Sequence, residues 1–131
     1  MLTPCEVATK CVLPVVRAML AQNLMTEYHL NQVQTAKLLD ISQPAVSLYS
    51  RKMRGKAIDL KDDTDVSTIV ASMTESLAKQ KLPRKEFVTQ LCEICRTIRA
   101  KGLMCRLHKS FDKSVDIDDC GLCADPAIKC N

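Results

Sequence analysis

The chain of 131 residues contains no tryptophan, two tyrosines and two phenylalanines. Large aromatic side chains therefore cannot fill its interior, and the core has to be built from aliphatic residues. Glycine is also scarce, with three residues in the whole chain. Long segments without glycine or proline favour helices, because these two residues are the ones that most strongly interrupt a helix. We therefore expect an all-α protein.

A long uninterrupted apolar run is missing as well. The most apolar stretch, from Val12 to Met25, is short for a membrane span and is interrupted by Arg17, so it predicts a buried helix and no membrane partner. The first residues lack the basic region and apolar run of a secretory signal, and we expect a cytoplasmic protein. Without a nucleophile beside a base, an acid–base pair or a phosphate loop, we expect neither an enzyme nor a small-molecule substrate.

The segment 31–49, NQVQTAKLLDISQPAVSLY, predicts two short helices joined by a tight turn. Val33, Ala36 and Leu39 recur at helical spacing and define one apolar face of the first helix. Ala36 is small, so that a second helix can cross close above it. Asp40 follows at the point where the backbone has to turn left-handed, and Asp is one of the few residues besides glycine that tolerate that conformation.

The second helix of this segment has its own signals. Ser42 is a favourable N-cap, and Pro44 is tolerated in the first turn of a helix. Val46, Tyr49 and Met53 form the expected inward stripe, so the neighbouring side chains face outward. The spacing is typical of a DNA-binding helix-turn-helix, and an ordinary helical hairpin within a bundle is the alternative.

The outward residues of the second helix suit a nucleic acid. Gln43 stands at its start, and a glutamine can make a bidentate contact to adenine in the major groove of DNA. Basic residues follow this helix, where the phosphates would lie. The residues predicted to contact an operator in double-stranded DNA are Gln32, Ser42, Gln43, Pro44, Ala45, Ser47, Leu48, Arg51, Lys52 and Arg54.

The net positive charge of the chain is confined to the same part of the sequence. Residues 1–56 contain seven Lys or Arg and three Asp or Glu, which leaves +4, whereas residues 57–131 contain twelve of each. A module that binds a polyanion requires such an excess. We therefore predict a helix-turn-helix DNA-binding domain at 1–56.

Residues 57–82 are predicted to form a charged linker followed by an amphipathic helix. The apolar residues that fall on one face of this helix are Val66, Ile69, Val70, Met73 and Leu77. Packing on the first helix is one role for this face, and pairing of two chains is the other. We favour pairing, since helix-turn-helix proteins usually read two half-sites as dimers. We thus expect a homodimer with Ile69 and Met73 in or near its interface.

Residues 83–131 are predicted to form a cysteine-rich module. A helix is expected from Pro83 to Ala100, and beyond Gly102 the chain becomes rich in Asp and too poor in apolar residues to fold alone. Two Cys-x-x-Cys pairs and two single cysteines lie in this part of the chain. They are Cys92, Cys95, Cys105, Cys120, Cys123 and Cys130.

The spacing of these six cysteines predicts a metal site. Two intervening residues let both thiolates of a Cys-x-x-Cys pair turn onto one centre. Thiolates suit an iron–sulfur cluster or Zn. The loose spacing, the surplus cysteines and the basic residues nearby, which would lower thiolate pKa values and offset an anionic cluster, favour an iron–sulfur cluster over Zn. We expect a [4Fe-4S] cluster, although these features do not determine the cluster type. A structural Zn without sensing and a set of unligated thiols are the alternatives.

Three further residues bear on this site. Cys5 and Cys11 stand far from the other six cysteines, and we expect both in the N-terminal domain, Cys11 as a small buried apolar residue. His108 lies between the two pairs and is either a ligand, a hydrogen-bond donor to the site or, more commonly for such a position, a solvated loop residue. A thiol redox enzyme is a less favoured interpretation, because the βαβ context of such enzymes is missing.

The N-terminal half resembles a family of small archaeal-type helix-turn-helix transcriptional regulators. The similar stretches are MLTPCEVATKCVLPVVRAML and ISQPAVSLYSRKMRG, and in the C-terminal half LCEICRTIRAKGLMCRLHK followed by CGLC is similar to a cysteine-rich branch of that family. The resemblance implies transcriptional regulation and an iron–sulfur cluster in the C-terminal half. We expect this cluster to control DNA binding as a sensor of redox state, iron or oxygen. The resemblance does not indicate which four cysteines hold the cluster.

Overall fold

The computed structural model describes residues 3–52, 55, 58–111 and 113. Helices account for 74% of these residues, and none of them lies in a β-strand, so the predicted all-α class is confirmed. In chain order the elements are α1 (Pro4–Val7), a π-helical segment (Ala8–Val12), α2 (Leu13–Glu27), α3 (Gln32–Leu39), α4 (Gln43–Ser50), α5 (Thr64–Ala78), α6 (Arg84–Ala100) and α7 (Cys105–Phe111).

The π-helical segment joins α1 to α2 without a break. Its wider turn is visible in the backbone, since the N–H of Leu13 donates to the carbonyl of Ala8, five positions earlier. Val7 and Val12 are also five positions apart, whereas Val16 follows Val12 by four, and all three are fully buried. The extra residue therefore keeps α1 and α2 facing the same core.

α2 is the helix around which the others are placed. It packs against α3, α4, α5 and α6. The consecutive residues Pro14, Val15 and Val16 are all buried, although successive side chains point about 100° apart around a helix, so α2 is covered on more than one side. This confirms the predicted buried helix. Among the helices that the structure describes, none has the length and apolar content needed to cross a lipid bilayer.

One hydrophobic cluster runs from Val7 near the start of the chain to Met104 beyond α6. Its members come from 1–56, 57–82 and 83–131, so the three predicted parts share a core, while their boundaries stay predictions. Aliphatic side chains make up most of it, and Tyr49 is buried with them.

The apolar face of α5 is used inside the chain. Val66, Val70, Met73 and Leu77 are buried, and α5 packs against α2 and α6. Met73 is 0% exposed, so its predicted place in a dimer interface is wrong, because no surface of it is left for a second chain. Ile69 is partly buried against the same core. Packing on the first helix is therefore the role of this face in the structure.

Most of the left-handed residues at the helix ends are not glycines. His29, Asp40, Lys52 and Gln80 follow α2, α3, α4 and α5 with φ angles of 55° or 56°. Each turns the backbone left-handed at a helix end, which is a role that glycine takes most easily. Gly102 takes this role after α6, with φ 69°. The predicted left-handed turn at Asp40 is thereby confirmed, as is the end of α6 before Gly102.

Lys101, directly after α6, links this helix to the start of α5. Asp63 caps α5 by accepting the N–H of Val66 at 3.0 Å, and its carboxylate also accepts from Lys101 Nζ at 3.0 Å. Asp65 pairs with the same amine. The backbone hydrogen bond from Val66, followed by the bond from Lys101, lowers the pKa of Asp63 below its ordinary value.

The backbone of Gly55 lies so close to α2 that no side chain would fit between them. Its φ is 74°, and a Cβ there would lie 2.7 Å from the Pro14 carbonyl oxygen and 2.7 Å from Ala18 Cβ. Gly102 has a similar φ of 69°, but a Cβ there would meet Cys105 Sγ at 3.7 Å, which is an ordinary contact. A side chain at either glycine would strain the left-handed backbone, but only a side chain at Gly55 would also overlap with neighbouring atoms.

We expect Gly55→Ala to lower the free energy of unfolding by about 2–5 kcal/mol, because left-handed strain adds to a clash with backbone. Gly102→Ala is the matched control and should lower it by about 1–2 kcal/mol, from strain alone. Urea unfolding followed by circular dichroism measures both values. Equal losses for the two variants would contradict the close approach at Gly55.

The cap at Asp63 predicts that the stability of the fold depends on pH. Because its pKa is lowered in the folded state, its charge stabilises the fold above the unfolded pKa of about 3.9, and this contribution is lost as the pH falls through the lower folded pKa. Asp63→Asn keeps a good N-cap but cannot pair with Lys101. We expect Asp63→Asn to be less stable than the wild type at pH 7, with a difference that is lost as the pH falls through the folded-state pKa of Asp63. Asp62→Asn, at an exposed neighbour, is the control, and a difference for Asp63→Asn that does not change with pH would refute the assignment.

Candidate functional site

α3 and α4 pack against each other, and both begin with a side-chain cap. At α3, Asn31 Oδ1 accepts the N–H of Gln34 at 2.8 Å, and Gln34 Oε1 accepts the N–H of Asn31 at 3.0 Å. At α4, Ser42 Oγ accepts the N–H of Ala45 at 3.2 Å. The predicted cap at Ser42 is confirmed. These bonds satisfy backbone donors that the first turn of a helix leaves open.

The turn between the two helices sets their crossing. The N–H of Ile41 donates to the carbonyl of Ala36 at 3.1 Å, which closes the end of α3. On α4, Val46 and Tyr49 are buried as predicted, and α4 also packs against α2. Met53, the third residue of the predicted inward stripe, lies outside the described residues. α4 is thus held from behind by two helices and presents its other face to solvent.

The buried face of α3 differs from the prediction. Thr35, Ala36 and Leu39 are buried, whereas Val33 is 67% exposed, so its assignment to the apolar face is wrong. Thr35 precedes Leu39 by four positions, which is close to one full turn. Val33 precedes Leu39 by six positions and therefore points about 120° away from it.

Gln43 and Gln32 form a pair at the N-terminus of α4. Nε2 of Gln43 donates to Oε1 of Gln32 at 2.6 Å. A carboxamide has two donor hydrogens and an acceptor oxygen, so this bond leaves Gln43 a second N–H and its Oε1 for a ligand. Gln43 is exposed, which places these groups at the solvent-facing end of α4.

Basic side chains flank the other end of α4. Arg51 and Lys52 are exposed, and Arg51 Nε donates to the carbonyl of Ser47 at 3.4 Å, which holds the guanidinium against the helix. Arg54, the third basic residue of the prediction, lies outside the described residues. Among the remaining predicted contacts, Ser42 and Pro44 are exposed, and Gln32, Ala45, Ser47 and Leu48 are partly exposed.

The structure describes half of the predicted metal ligands. Cys92 and Cys95 lie on α6, close enough for their thiols to interact electrostatically, and Cys105 begins α7. The other three predicted ligands, Cys120, Cys123 and Cys130, lie outside the described residues. Within the part that is described, no three His, Cys, Asp or Glu side chains come together as a metal site.

A buried arginine lies beside these cysteines. Arg99, 3% exposed and one turn after Cys95, hydrogen-bonds to the Cys95 thiol, and its Nη1 lies 3.8 Å from the Sγ of Cys5. Cys5 therefore lies next to α6, and the expectation that it belongs to an N-terminal domain packed separately from the distal cysteines is wrong with respect to Cys95. Cys11 is buried in the core as predicted, and burial raises the pKa of its thiol.

Burial dominates the protonation of Cys95. Desolvation raises the pKa of Cys95, and the guanidinium groups of Arg99 and Arg96 lower it in part without reversing the shift. The nearby cations therefore lower the pKa of the Cys95 thiol as expected, but burial outweighs them, so that this pKa lies above its ordinary value. His108 is also buried, on α7, so the interpretation of a solvated loop residue is wrong.

Sequence reasoning missed the burial of Arg99. The available signal was its position four residues after Cys95 and next to Ile98, on the apolar side of α6. Comparisons of the chain with known protein families, with curated proteins and with solved structures gave no match. The resemblance to helix-turn-helix regulators of the cysteine-rich branch therefore stays a prediction.

Proposed function

We propose that the chain is a cytoplasmic, DNA-binding transcriptional regulator whose DNA binding is controlled by an iron–sulfur cluster held by distal cysteines. The observation that carries the DNA-binding part is the Gln43–Gln32 pair on the exposed N-terminus of α4. The back of α4 is covered by α2 and α3, so this pair stands on a rigid support.

The chemistry of the pair matches the edge of an adenine. In the major groove adenine offers an N–H donor and the N7 acceptor, which are the complements of Gln43 Oε1 and its second N–H. The bond from Gln43 Nε2 to Gln32 Oε1 holds the carboxamide in one orientation before DNA arrives. Holding it in this way reduces the side-chain entropy that would be lost on binding.

The basic residues after α4 supply contacts to phosphate. Arg51 and Lys52 are exposed directly beyond the helix, and the net charge of +4 belongs to residues 1–56. Phosphate contacts position a recognition helix and provide affinity that does not depend on sequence. We propose that the regulator binds as a homodimer, because two half-sites require two copies of α4. The buried face of α5 is not its interface.

The DNA-binding proposal predicts that substitutions at the two ends of α4 weaken DNA binding in different ways. Gln43→Ala should lose about 1–3 kcal/mol of discrimination at one base position while non-specific binding persists. Arg51→Ala should weaken binding to all sequences alike and reduce the salt slope by about 0.9, which corresponds to one phosphate.

The measurement is fluorescence anisotropy at several salt concentrations. The DNA is an operator selected from random sequence, together with its single-base variants. Gln22→Ala, at an exposed position of α2, is the control and should change neither quantity. If Gln43→Ala keeps full discrimination at every base position, α4 is not the recognition helix.

The sensing part of the proposal has chemical support at α6. The thiols of Cys92, Cys95 and Cys105 are soft donors that suit iron or Zn, and the guanidinium of Arg99 would offset the negative charge of a cluster bound by thiolates. These described residues do not form a complete ligand set, and the remaining ligands would come from Cys120, Cys123 and Cys130. A bound cluster would supply a centre that changes with redox state or iron supply.

The packing of the helices supports a route from such a centre to DNA. α6 packs against α2, and α2 is the helix on which α3 and α4 rest. A change in how α6 is held therefore acts on the support of the recognition helix. Coupling of this kind requires two states of the protein that differ in operator affinity.

Sensing predicts that iron-loaded and iron-free protein differ in operator affinity by at least about fivefold. Protein purified without oxygen is assayed for iron, acid-labile sulfide and Zn, and its operator affinity is measured before and after chelation. Cys11→Ser is the control, since Cys11 is buried in the core, and it should retain the difference. Equal affinities of the two forms would remove the sensing claim, and bound Zn without iron would favour the structural alternative.

A further inference from the structure

Cys5 and Cys95, ninety positions apart in the sequence, contact the same buried guanidinium. Nη1 of Arg99 lies 3.8 Å from Cys5 Sγ, and the Arg99 side chain also hydrogen-bonds to Cys95. Arg99 is 3% exposed. A buried guanidinium is strongly disfavoured unless anionic or hydrogen-bonding groups surround it, and these two sulfurs are among its partners.

Two further contacts bring the start of the chain to the cysteine-bearing helices. α1 packs against α7, the helix that begins with Cys105. The Nζ of Lys10 lies 5.8 Å from the centre of the Phe111 ring, near the end of α7, at the distance of a cation–π contact. The start of the chain is thus adjacent to the helices that carry Cys95 and Cys105 through several residues and not through one side chain.

The cysteines of the described residues differ in their bonding state. Cys5 takes part in a disulfide bond, whereas Cys11, Cys92, Cys95 and Cys105 are free thiols. Cys11 is six positions from Cys5 on the same helical rod, but it is buried in the aliphatic core. The two N-terminal cysteines therefore have different surroundings, and Cys5 is the one beside Arg99.

We propose that Cys5 belongs to the distal cysteine site, where it alternates between a disulfide with a cysteine of residues 92–131 and coordination of the soft metal centre that those cysteines hold. The coordination half of this proposal rests on the proposed function. The disulfide half does not, because thiol–disulfide exchange needs no metal. Arg99 is a positioning residue that holds the sulfurs of Cys5 and Cys95 together.

The exchange between the two states balances with a low-molecular-weight thiol as the reductant. One molecule of this thiol, as its thiolate, attacks a sulfur of the disulfide and displaces the other cysteine as a thiolate. A second molecule releases the mixed disulfide, so that the two molecules leave as their own disulfide. Two electrons pass to the two cysteines of the chain, whose sulfurs are then free to take protons or a metal.

The position of Cys5 gives this exchange a direct mechanical route to the DNA-binding helices. Cys5 lies in α1, which continues through the π-helical segment into α2 without a break. α2 in turn supports α3 and α4. A π-helical segment holds one extra residue in a turn, and such segments are often found at functional sites. The state of Cys5 therefore acts on the same helix that fixes the recognition surface.

The first experiment maps disulfides in the full chain without metal. Reduced, iron-free protein is oxidised with oxidised glutathione, free thiols are alkylated, and tryptic peptides are identified by mass spectrometry. Cleavage after Lys10 separates Cys5, in peptide 1–10, from Cys11, in peptide 11–17. We expect peptide 1–10 to be linked to a peptide from 86–131. A link to peptide 11–17, or a Cys5 that carries only glutathione, would overturn the disulfide half of the proposal.

The second experiment measures retention of iron after anaerobic reconstitution with ferrous iron and sulfide. Cys5→Ser is expected to speed iron loss to a chelator by about tenfold or more, whereas Cys11→Ser should match the wild type. Arg99→Lys retains the charge and should lose iron more slowly than Arg99→Met, with circular dichroism used to verify that both variants fold.

The outcomes separate this proposal from the proposed function. If the wild type takes up no iron, the proposal of a cluster is wrong, and so is the proposal that Cys5 coordinates it. The disulfide map still decides whether Cys5 is a partner of the distal cysteines. If the wild type holds iron and Cys5→Ser holds it equally well, the cluster stands and Cys5 is not a ligand.

Discussion

The side chains of α2 have to be covered from several directions, because Val15, Val16 and Leu20 point around the helix and are all buried. α3 and α4 cover part of this surface, and α5 and α6 cover more of it. Burying a valine or leucine contributes about 1.5–3 kcal/mol, so none of these helices can move without exposing apolar area. The surface that faces DNA in our proposal and the helix that carries Cys92 and Cys95 are therefore fixed by one and the same core.

The second constraint is the burial of a charge. Arg99 projects from α6 into the protein, and the sulfurs of Cys5 and Cys95 are among the groups that it contacts. Because α1 is continuous with α2, this contact joins α6 to the part of the chain that carries α3 and α4 by a second route, beside the shared hydrophobic core. Desolvation at the same place raises the pKa of Cys95, so the region is less favourable to thiolates than its count of basic residues suggests.

Local signals predicted the helix ends and the turn between α3 and α4. Ser42 caps α4 because its side chain reaches the backbone three positions away, and Asp40 turns left-handed because the residue itself tolerates that conformation. Such features depend on neighbours in the sequence and can be derived from it. The spacing of Val33 from Ala36 and Leu39 predicted the wrong buried face of α3. The face that is buried depends on which helices pack against α3, and helical spacing within one segment does not contain that information.

The sequence by itself determined that the chain is helical with an aliphatic core, that the backbone turns left-handed at Asp40 and that α6 ends before Gly102, but it did not predict α7 beyond Gly102. It also determined that the net positive charge lies in the first 56 residues and that four of the cysteines stand in two Cys-x-x-Cys pairs. The tertiary structure alone decided what each apolar face meets and, among the described residues, what each cysteine meets. Met73 packs inside the chain because the apolar face of α5 lies against α2 and α6, and Cys5 lies beside Arg99, 94 positions away in the sequence. These outcomes depend on contacts between residues that are far apart along the chain, and no periodicity within one segment encodes which distant segment will bury it.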